Sequence, residues 1–334
     1  MALSWNLRGS QPESAIYVEE WAPAYGGPYL IGPDEDGAAA DVVLMEDGDE
    51  IRPHLPAGEA QSFARIAFVD GVRRVEAALY QHDPATGQIA RGIAGSAACG
   101  AVCTGNHGRL EFGEHRVYRL LVWGSGTTGE LPEVAGGWQW RSLSIASDLP
   151  DAPLHELQTV MREEEGRLAE SLWSEDTLVI VDGPLNFVRS REVPVLGYVK
   201  THHRALLPAE QHMKVPLLGP GERTSVFAIG EDRYSCYLRL TWGTTLAGPW
   251  SGIVRLEVPQ AVGANLAIAV ADEATRMLPS FAGVPHRDAR APQNLQPIGS
   301  LETHLRHLLG DSGLANRAVR EAVALKSATA QKGT

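Results

Sequence analysis

The stretch ARIAFVDG, residues 64–71, decides how this chain is read. Its apolar run from Ile66 to Val69 suits a buried strand and is too short for a helix of its own. It ends on Asp70, followed by Gly71. A second run of the same kind, DTLVIVDGPL at 176–185, ends on Asp182 and Gly183. Asp-Gly is a turn pair. The sequence therefore predicts that each strand stops at its aspartate, with VRRVEAALYQ after the first returning as a hairpin. A carboxylate carried at the end of a stiff strand is also a suitable oxygen ligand for Mg²⁺ or Mn²⁺. Either reading accounts for one Asp-Gly pair; two on matching strands favour the second.

Working outward, further strands are expected at GSAACGAVC, RVYRLLVWG and WQWRSLSIA. Residues 153–173 read as an amphipathic helix, with Leu154, Leu157, Met161, Leu168 and Leu172 on one face and Asp151 before Pro153 as its start. This helix carries Glu163, Glu164 and Glu165. At roughly 100° per residue, Glu163 points away from the apolar face, while Glu164 and Glu165 flank its two edges. Either of those two could reach a site at the sheet rim. VPVLGYVK gives a short strand reaching Lys200. TSVFAIG, YSCYLRLTW and SGIVRLEVP form an antiparallel set, and three helical segments follow from ANLAIAVADEATRML onward. The expectation is an α/β fold, a mixed β-sheet flanked by helices.

The chain has 334 residues, 44% hydrophobic and 21% charged, enough for a large core and unlike a disordered chain. Its net charge of −12 is unevenly spread. Residues 1–60 hold twelve acids and two bases, while the remainder holds 29 acids and 27 bases. Residues 1–60 are therefore expected to be an acidic N-terminal appendage, 61–328 the main domain and 329–334 a flexible tail. A near-neutral body does not bind duplex DNA strongly by counterion release alone. No apolar run is long enough to cross a membrane, and the first residues lack a secretory layout, so a cytoplasmic protein is expected. Cys99, Cys103 and Cys236 suggest neither a disulfide framework nor a zinc site.

One loop is unusual. LPSFAGVPHRDARAPQNLQPIG, residues 278–299, sets His286, Arg287, Asp288 and Arg290 among prolines between two helices. Such a loop could bind a phosphate or protonate a leaving group. Other motifs fail. No G-x-x-x-x-G-K-[ST] is present, GSGTTGE at 124–130 lacks the lysine, and GDSG at 310–313 lies in a helical context. His202 and His203 are adjacent and point apart.

Taken in order, FVDG with Asp70, the helix acid, VIVDGPL with Asp182, GYVK with Lys200, IVRLEVP with Glu257 and the C-terminal His286 resemble the NurA nuclease family, over roughly residues 60–325. The stretch from His286 is similar to the bacterial branch. The resemblance implies an RNase H-like core, often assembled as a homodimer. It implies a nuclease that resects DNA ends 5′ to 3′ and cuts single strands, usually with Mn²⁺, alongside HerA, a hexameric DNA-translocating ATPase. It also implies Asp70, Glu165, Asp182 and His286 as the catalytic and metal-binding set, with Glu164 in reserve for Glu165. The cofactor would be two Mn²⁺ or Mg²⁺ ions, with Lys200 and Arg290 toward the phosphate. The family's site can include a tyrosine in a Tyr-Pro context; here the local match is Leu278-Pro279. A second expectation is a subunit whose site has decayed and which serves the ATPase as a binding partner.

Overall fold

The computed structural model describes residues 15–18, 42–56, 63–104, 109–189, 192–200, 205–243, 249–284, 286–288 and 290–332. The His202-His203 pair and most of the acidic N-terminal segment lie outside the described residues. The strands are β1 (Ala15–Val18), β2 (Val42–Leu44), β3 (Pro53–His54), β4 (Arg65–His82), β5 (Ile89–Thr104), β6 (Leu110–Trp123) and β7 (Arg141–Ser144). Helix α1 (Ala152–Leu172) leads to β8 (Thr177–Asp182), β9 (Leu196–Val199) and the short α2 (Ala209–His212). Then come β10 (Arg223–Thr224), β11 (Phe227–Ile229), β12 (Arg233–Arg239) and β13 (Ile253–Pro259). Helices α3 (Ala264–Met277), α4 (Gln296–Leu308) and α5 (Ser312–Lys332) close the chain.

All thirteen strands join one mixed sheet, whose main path runs β2-β11-β12-β13-β9-β8-β4-β5-β6-β7. At its centre β4, β5 and β6 form an antiparallel meander. Helix α1 crosses back, and β8 and β9 add in parallel on the far side of β4. That order, β6-β5-β4-β8-β9, is the RNase H-like arrangement.

Helix α1 forms where the leucine periodicity places it. Asp151 stands at its N-cap without a side-chain capping bond, and proline opens the first turn. Leu157, Met161 and Leu168 are buried, each contributing about 1.5–3 kcal/mol by leaving water. They pack on the sheet face that presents Val69, Val179 and Val181. The opposite face presents Phe68, Ile180 and Tyr198 to α3 and the start of α4. Side chains alternate along a strand. Asp70, Asp182 and Lys200, each two residues on from one of these three, therefore fall on the α3/α4 face.

The structure corrects several expectations. Strand β4 does not stop at Asp70: it runs on through Gly71 to His82, paired with β5 along its length, and VRRVEAALYQ is its second half. The hairpin turn lies at Asp83–Gly87 instead, where the Gly87 amide donates to the Asp83 carbonyl at 2.8 Å. In the described pieces of residues 1–60, β1 pairs with β4, β2 with β11 and β3 with β10. Helix α5 continues through Lys332, so the expected tail is helical to that residue.

Candidate metal centre

The site follows from unequal strand lengths. β8 pairs with β4 only from Arg65 to Val69 and ends at Asp182. β1 rejoins that side of β4 only at Leu79. Among the described residues, β4 thus has an edge without a strand partner from Asp70 to Ala78. Asp70 opens this notch and Asp182 stands at its floor.

Helix α1 reaches the notch from the other face of the sheet with Glu165. Gly71 makes that approach possible: a Cβ built on it would lie 2.2 Å from Glu165 Oε1. Gly71 is thus not a turn residue here. Gly183 is one: its φ of +112° turns the chain away from β8, and its amide donates to the Tyr198 carbonyl at 2.8 Å. Glu257, buried on β13, accepts from the Leu185 amide at 3.2 Å and pairs with Arg255 and Arg233, holding the segment just after Asp182 in place. Although burial opposes its charge, these two arginines keep its carboxyl below the usual range.

The three helix glutamates part company as their phase requires. Glu163 faces Arg167 and Arg189 at the surface. Glu164 turns to the Tyr118 hydroxyl at 2.6 Å and to Arg167. Glu165 faces the notch, where Arg162 donates to its Oε2 at 2.8 Å and to the Asp182 carbonyl at 2.7 Å. Lys200 donates to Asp182 Oδ2 at 2.6 Å and to Asn294 at 2.8 Å.

Each of the three carboxylates keeps one oxygen that is buried and has no hydrogen-bond partner: Asp70 Oδ2, Glu165 Oε1 and Asp182 Oδ1. An unpartnered buried carboxylate oxygen is costly, and Asp70 and Asp182 lie close enough to share a cation; Glu165, expected as the third ligand, is not in the group of oxygens that could hold one ion with them. The electrostatics agree. Burial, then the neighbouring Asp182 and Glu165, push the Asp70 carboxyl well above its usual range. Burial raises Glu165 too, against the pull of Arg162. Arg162 is pushed up in turn, chiefly by Glu165. Oxygen donors of this kind suit a divalent ion.

A fourth carboxylate escaped the sequence reading. Glu302 on α4 offers an oxygen that lies, with one each from Asp70 and Asp182, in a group no wider than 4.8 Å. Its own oxygens accept from Arg290 at 2.7 and 2.8 Å and from Arg306 at 3.1 Å. Arg290, expected to face phosphate, pairs instead with Glu302 and Asp288. Those contacts, with Asn294, hold Asp288 down to about 2, although its partial burial opposes them. His286 is exposed, and among the described residues no hydrogen bond or ion pair ties it to the carboxylates. Leu278, where the family can place tyrosine, is buried in the core under α3.

No protein-family model and no curated protein matches this chain. Among solved structures it is similar to the NurA nuclease from Sulfolobus solfataricus, at 10% identity and a TM-score of 0.44, over 85% of this chain and 88% of that one. A likeness at that level describes the general course of the chain and says nothing of its chemistry. Among the described residues, no helix is long and apolar enough to cross a membrane.

Proposed function

We propose that this protein is a metal-dependent deoxyribonuclease whose centre is Asp70, Asp182 and Glu302, with Glu165 beside it. The observation that carries the reading is the group of Asp70, Asp182 and Glu302 oxygens within 4.8 Å of one another, with Asp70 Oδ2 and Asp182 Oδ1 buried and unpartnered. Carboxylate oxygens on stiff strands suit Mn²⁺ or Mg²⁺. When bound, a pair of such cations supplies Lewis-acid polarisation of a phosphodiester and neutralises the charge that develops on its oxygens.

The chain's own groups prepare that chemistry. Lys200 and Arg162 hold Asp182 by its Oδ2 and its carbonyl, leaving Oδ1 free. Arg162 also fixes Glu165 by one oxygen and leaves the other toward the notch. Asn294 anchors Lys200 from the 286–294 loop. That loop presents His286 to solvent.

The finer reading is a 5′-to-3′ exonuclease and single-strand endonuclease. It works as a homodimer with a HerA-like hexameric ATPase at DNA ends, in repair or defence. Its support is the ordered set of motifs and the charge distribution. A body of 29 acids and 27 bases outside residues 1–60 is poorly suited to gather duplex DNA by itself, and a translocating partner would deliver the strand.

The test is degradation of single- and double-stranded DNA with Mn²⁺, with and without the ATPase. Asp70→Ala and Asp182→Ala should abolish cleavage and the calorimetric Mn²⁺ binding while leaving the far-ultraviolet circular dichroism intact. Full cleavage by both variants would sink the proposed centre.

A further inference from the structure

The three acids of the metal group are not equally free to receive an ion. Asp70 Oδ2 and Asp182 Oδ1 are buried and unpartnered. Glu302 keeps no such oxygen. Its Oε1 accepts from Arg290 Nη1 at 2.7 Å, and its Oε2 accepts from Arg290 Nη2 at 2.8 Å and from Arg306 Nη2 at 3.1 Å. Whichever Glu302 oxygen lies within 4.8 Å of Asp70 and Asp182 therefore carries a proton donated by Arg290. The pairing has a plain electrostatic reason: a buried carboxylate is costly without a cation beside it.

Arg290 is held so that it can leave Glu302 without leaving the site. Its side chain is 51% exposed, against 6% for Glu302. Its own loop keeps it by the other edge, where Nε donates to Asp288 Oδ1 at 3.1 Å and Nη2 to Asp288 Oδ2 at 3.0 Å. Asp288 also accepts from Asn294, and Asn294 accepts from the Lys200 ammonium that holds Asp182 Oδ2. The guanidinium thus stands between a buried acid and solvent, on a loop tied to both Glu302 and Asp182. Arg306, the second cation on Glu302, makes a single bond from an exposed side chain.

We infer that Arg290 gives up Glu302 to a divalent cation and turns, pivoting on Asp288, onto a phosphate of the nucleic-acid substrate. The inference rests on the nuclease reading and deepens it, since it makes metal loading the event that readies a substrate contact. Two cations on one buried carboxylate repel each other with little screening. The divalent ion has Asp70 and Asp182 as further ligands, whereas Arg290 has solvent to turn to. Once released, its Nη1 and Nη2 are a planar pair of donors matched to two phosphate oxygens. The exchange keeps the arginine paired throughout, because it leaves one anion for another.

The test is calorimetric titration of the full chain with Mn²⁺ at pH 8, without DNA, in wild type, Arg290→Ala, Glu302→Gln and the double variant. Arg290→Ala should bind Mn²⁺ about 10-fold more tightly, as removal of one competing charge-assisted pair allows. In the Glu302→Gln background the same substitution should change the affinity by less than about 2-fold. At saturating Mn²⁺, the KM for a single-stranded oligonucleotide should rise about 10-fold in Arg290→Ala, for the lost phosphate contact. Arg290→Lys keeps the charge without the paired donors; it should shift both quantities in the same directions by less, and it serves if alanine disturbs the fold. Mn²⁺ affinity that is unchanged or weaker in Arg290→Ala overturns the exchange and leaves Arg290 as a brace for Glu302. An equal gain in both backgrounds overturns it too, being the general effect of removing a nearby positive charge, and an unaltered KM removes the phosphate contact. Glu302-dependent tightening in a chain that cuts no DNA keeps the exchange and rejects the nuclease. Mn²⁺-dependent cleavage with Mn²⁺ affinity indifferent to Arg290 does the reverse.

Discussion

Replacing Gly71 by alanine tests the site at its narrowest point. The residue is in the middle of β4 and its backbone is extended, so alanine brings no conformational penalty; the difficulty is steric. An added Cβ would lie 2.2 Å from Glu165 Oε1 and 3.0 Å from both Glu165 Cδ and Met161 Cγ. Ordinary contact begins near 3.4 Å, so the carboxylate must retreat by about 1.2 Å if the backbone holds, a large fraction of a van der Waals separation. Met161 must give by a few tenths of an ångström. Overfilling a packed region of this kind costs about 1–3 kcal/mol, a fall in Tm of several degrees. A ligand displaced by about 1 Å costs catalysis about 100-fold.

Two measurements separate these effects. Mn²⁺-dependent DNA cleavage by Gly71→Ala should fall about 100-fold while its circular dichroism stays native. Denaturant unfolding should then be run on Gly71→Ala, Glu165→Ala and the double variant. With Glu165 shortened, only Met161 still crowds the new methyl group. The cost of Gly71→Ala should therefore shrink by about 1 kcal/mol, the coupling expected of residues in contact. Undiminished cleavage, or the same stability cost in both backgrounds, would refute the reasoning that glycine is there to admit Glu165.

Three further outcomes follow from the same geometry. Asp70 and Glu165 are raised in the folded chain. The folded state therefore holds protons more tightly than the unfolded one, and stability is full below the ordinary carboxylate range and lost as pH rises through the raised values. Metal-free protein should melt at progressively lower temperature on going from pH 5 to pH 8, and saturating Mn²⁺ should flatten that slope; a flat profile in EDTA would contradict the buried cluster. Glu302→Gln should weaken Mn²⁺ binding by calorimetry about 10-fold or more, as loss of a carboxylate near the ion implies, whereas His286→Ala, exposed and outside the cluster, should leave that binding unchanged. Glu257→Ala should destabilise by about 3 kcal/mol in chemical denaturation, because two arginines lose a buried partner, and should weaken Mn²⁺ binding through the loosened Leu185 segment; wild-type stability would argue against that brace.

Much of the architecture was legible because it is local. Strand and helix periodicities lie within short windows, and the sequence order of meander, helix and parallel strands gives the core of the sheet. The partners of the acidic N-terminal segment were not legible: β2 and β3 are held on β11 and β10, and no short window contains those partners.

The two Asp-Gly pairs show why the site was only half legible. As dipeptides they are the same. Gly183 needs its positive φ to leave β8, which is what the turn preference of the pair suggests. Gly71 needs no turn; it needs the absence of a side chain because a helix on the other face sends a carboxylate through. Only the ending of β8 at Asp182, with β4 continuing past it, distinguishes them, and that is a relation between strands more than a hundred residues apart. The helix acids pose the same problem. Phase excluded Glu163, yet Glu164 and Glu165 sit at similar angles to the apolar face, and the choice between them lies in what each edge meets: Tyr118 on β6 for one, the open edge of β4 for the other. Glu302 is the furthest case. With Arg306 four residues on, it reads as an ordinary surface pair on a helix, and nothing in the α4 sequence marks it as buried. It becomes a candidate ligand only because Leu301 and Leu305 seat α4 against β4 and β5, which turns the next residue toward Asp70. The carboxylates of β4, β8 and α4 are thus written in the sequence as separate local patterns, and they become a candidate metal group only where packing makes them meet.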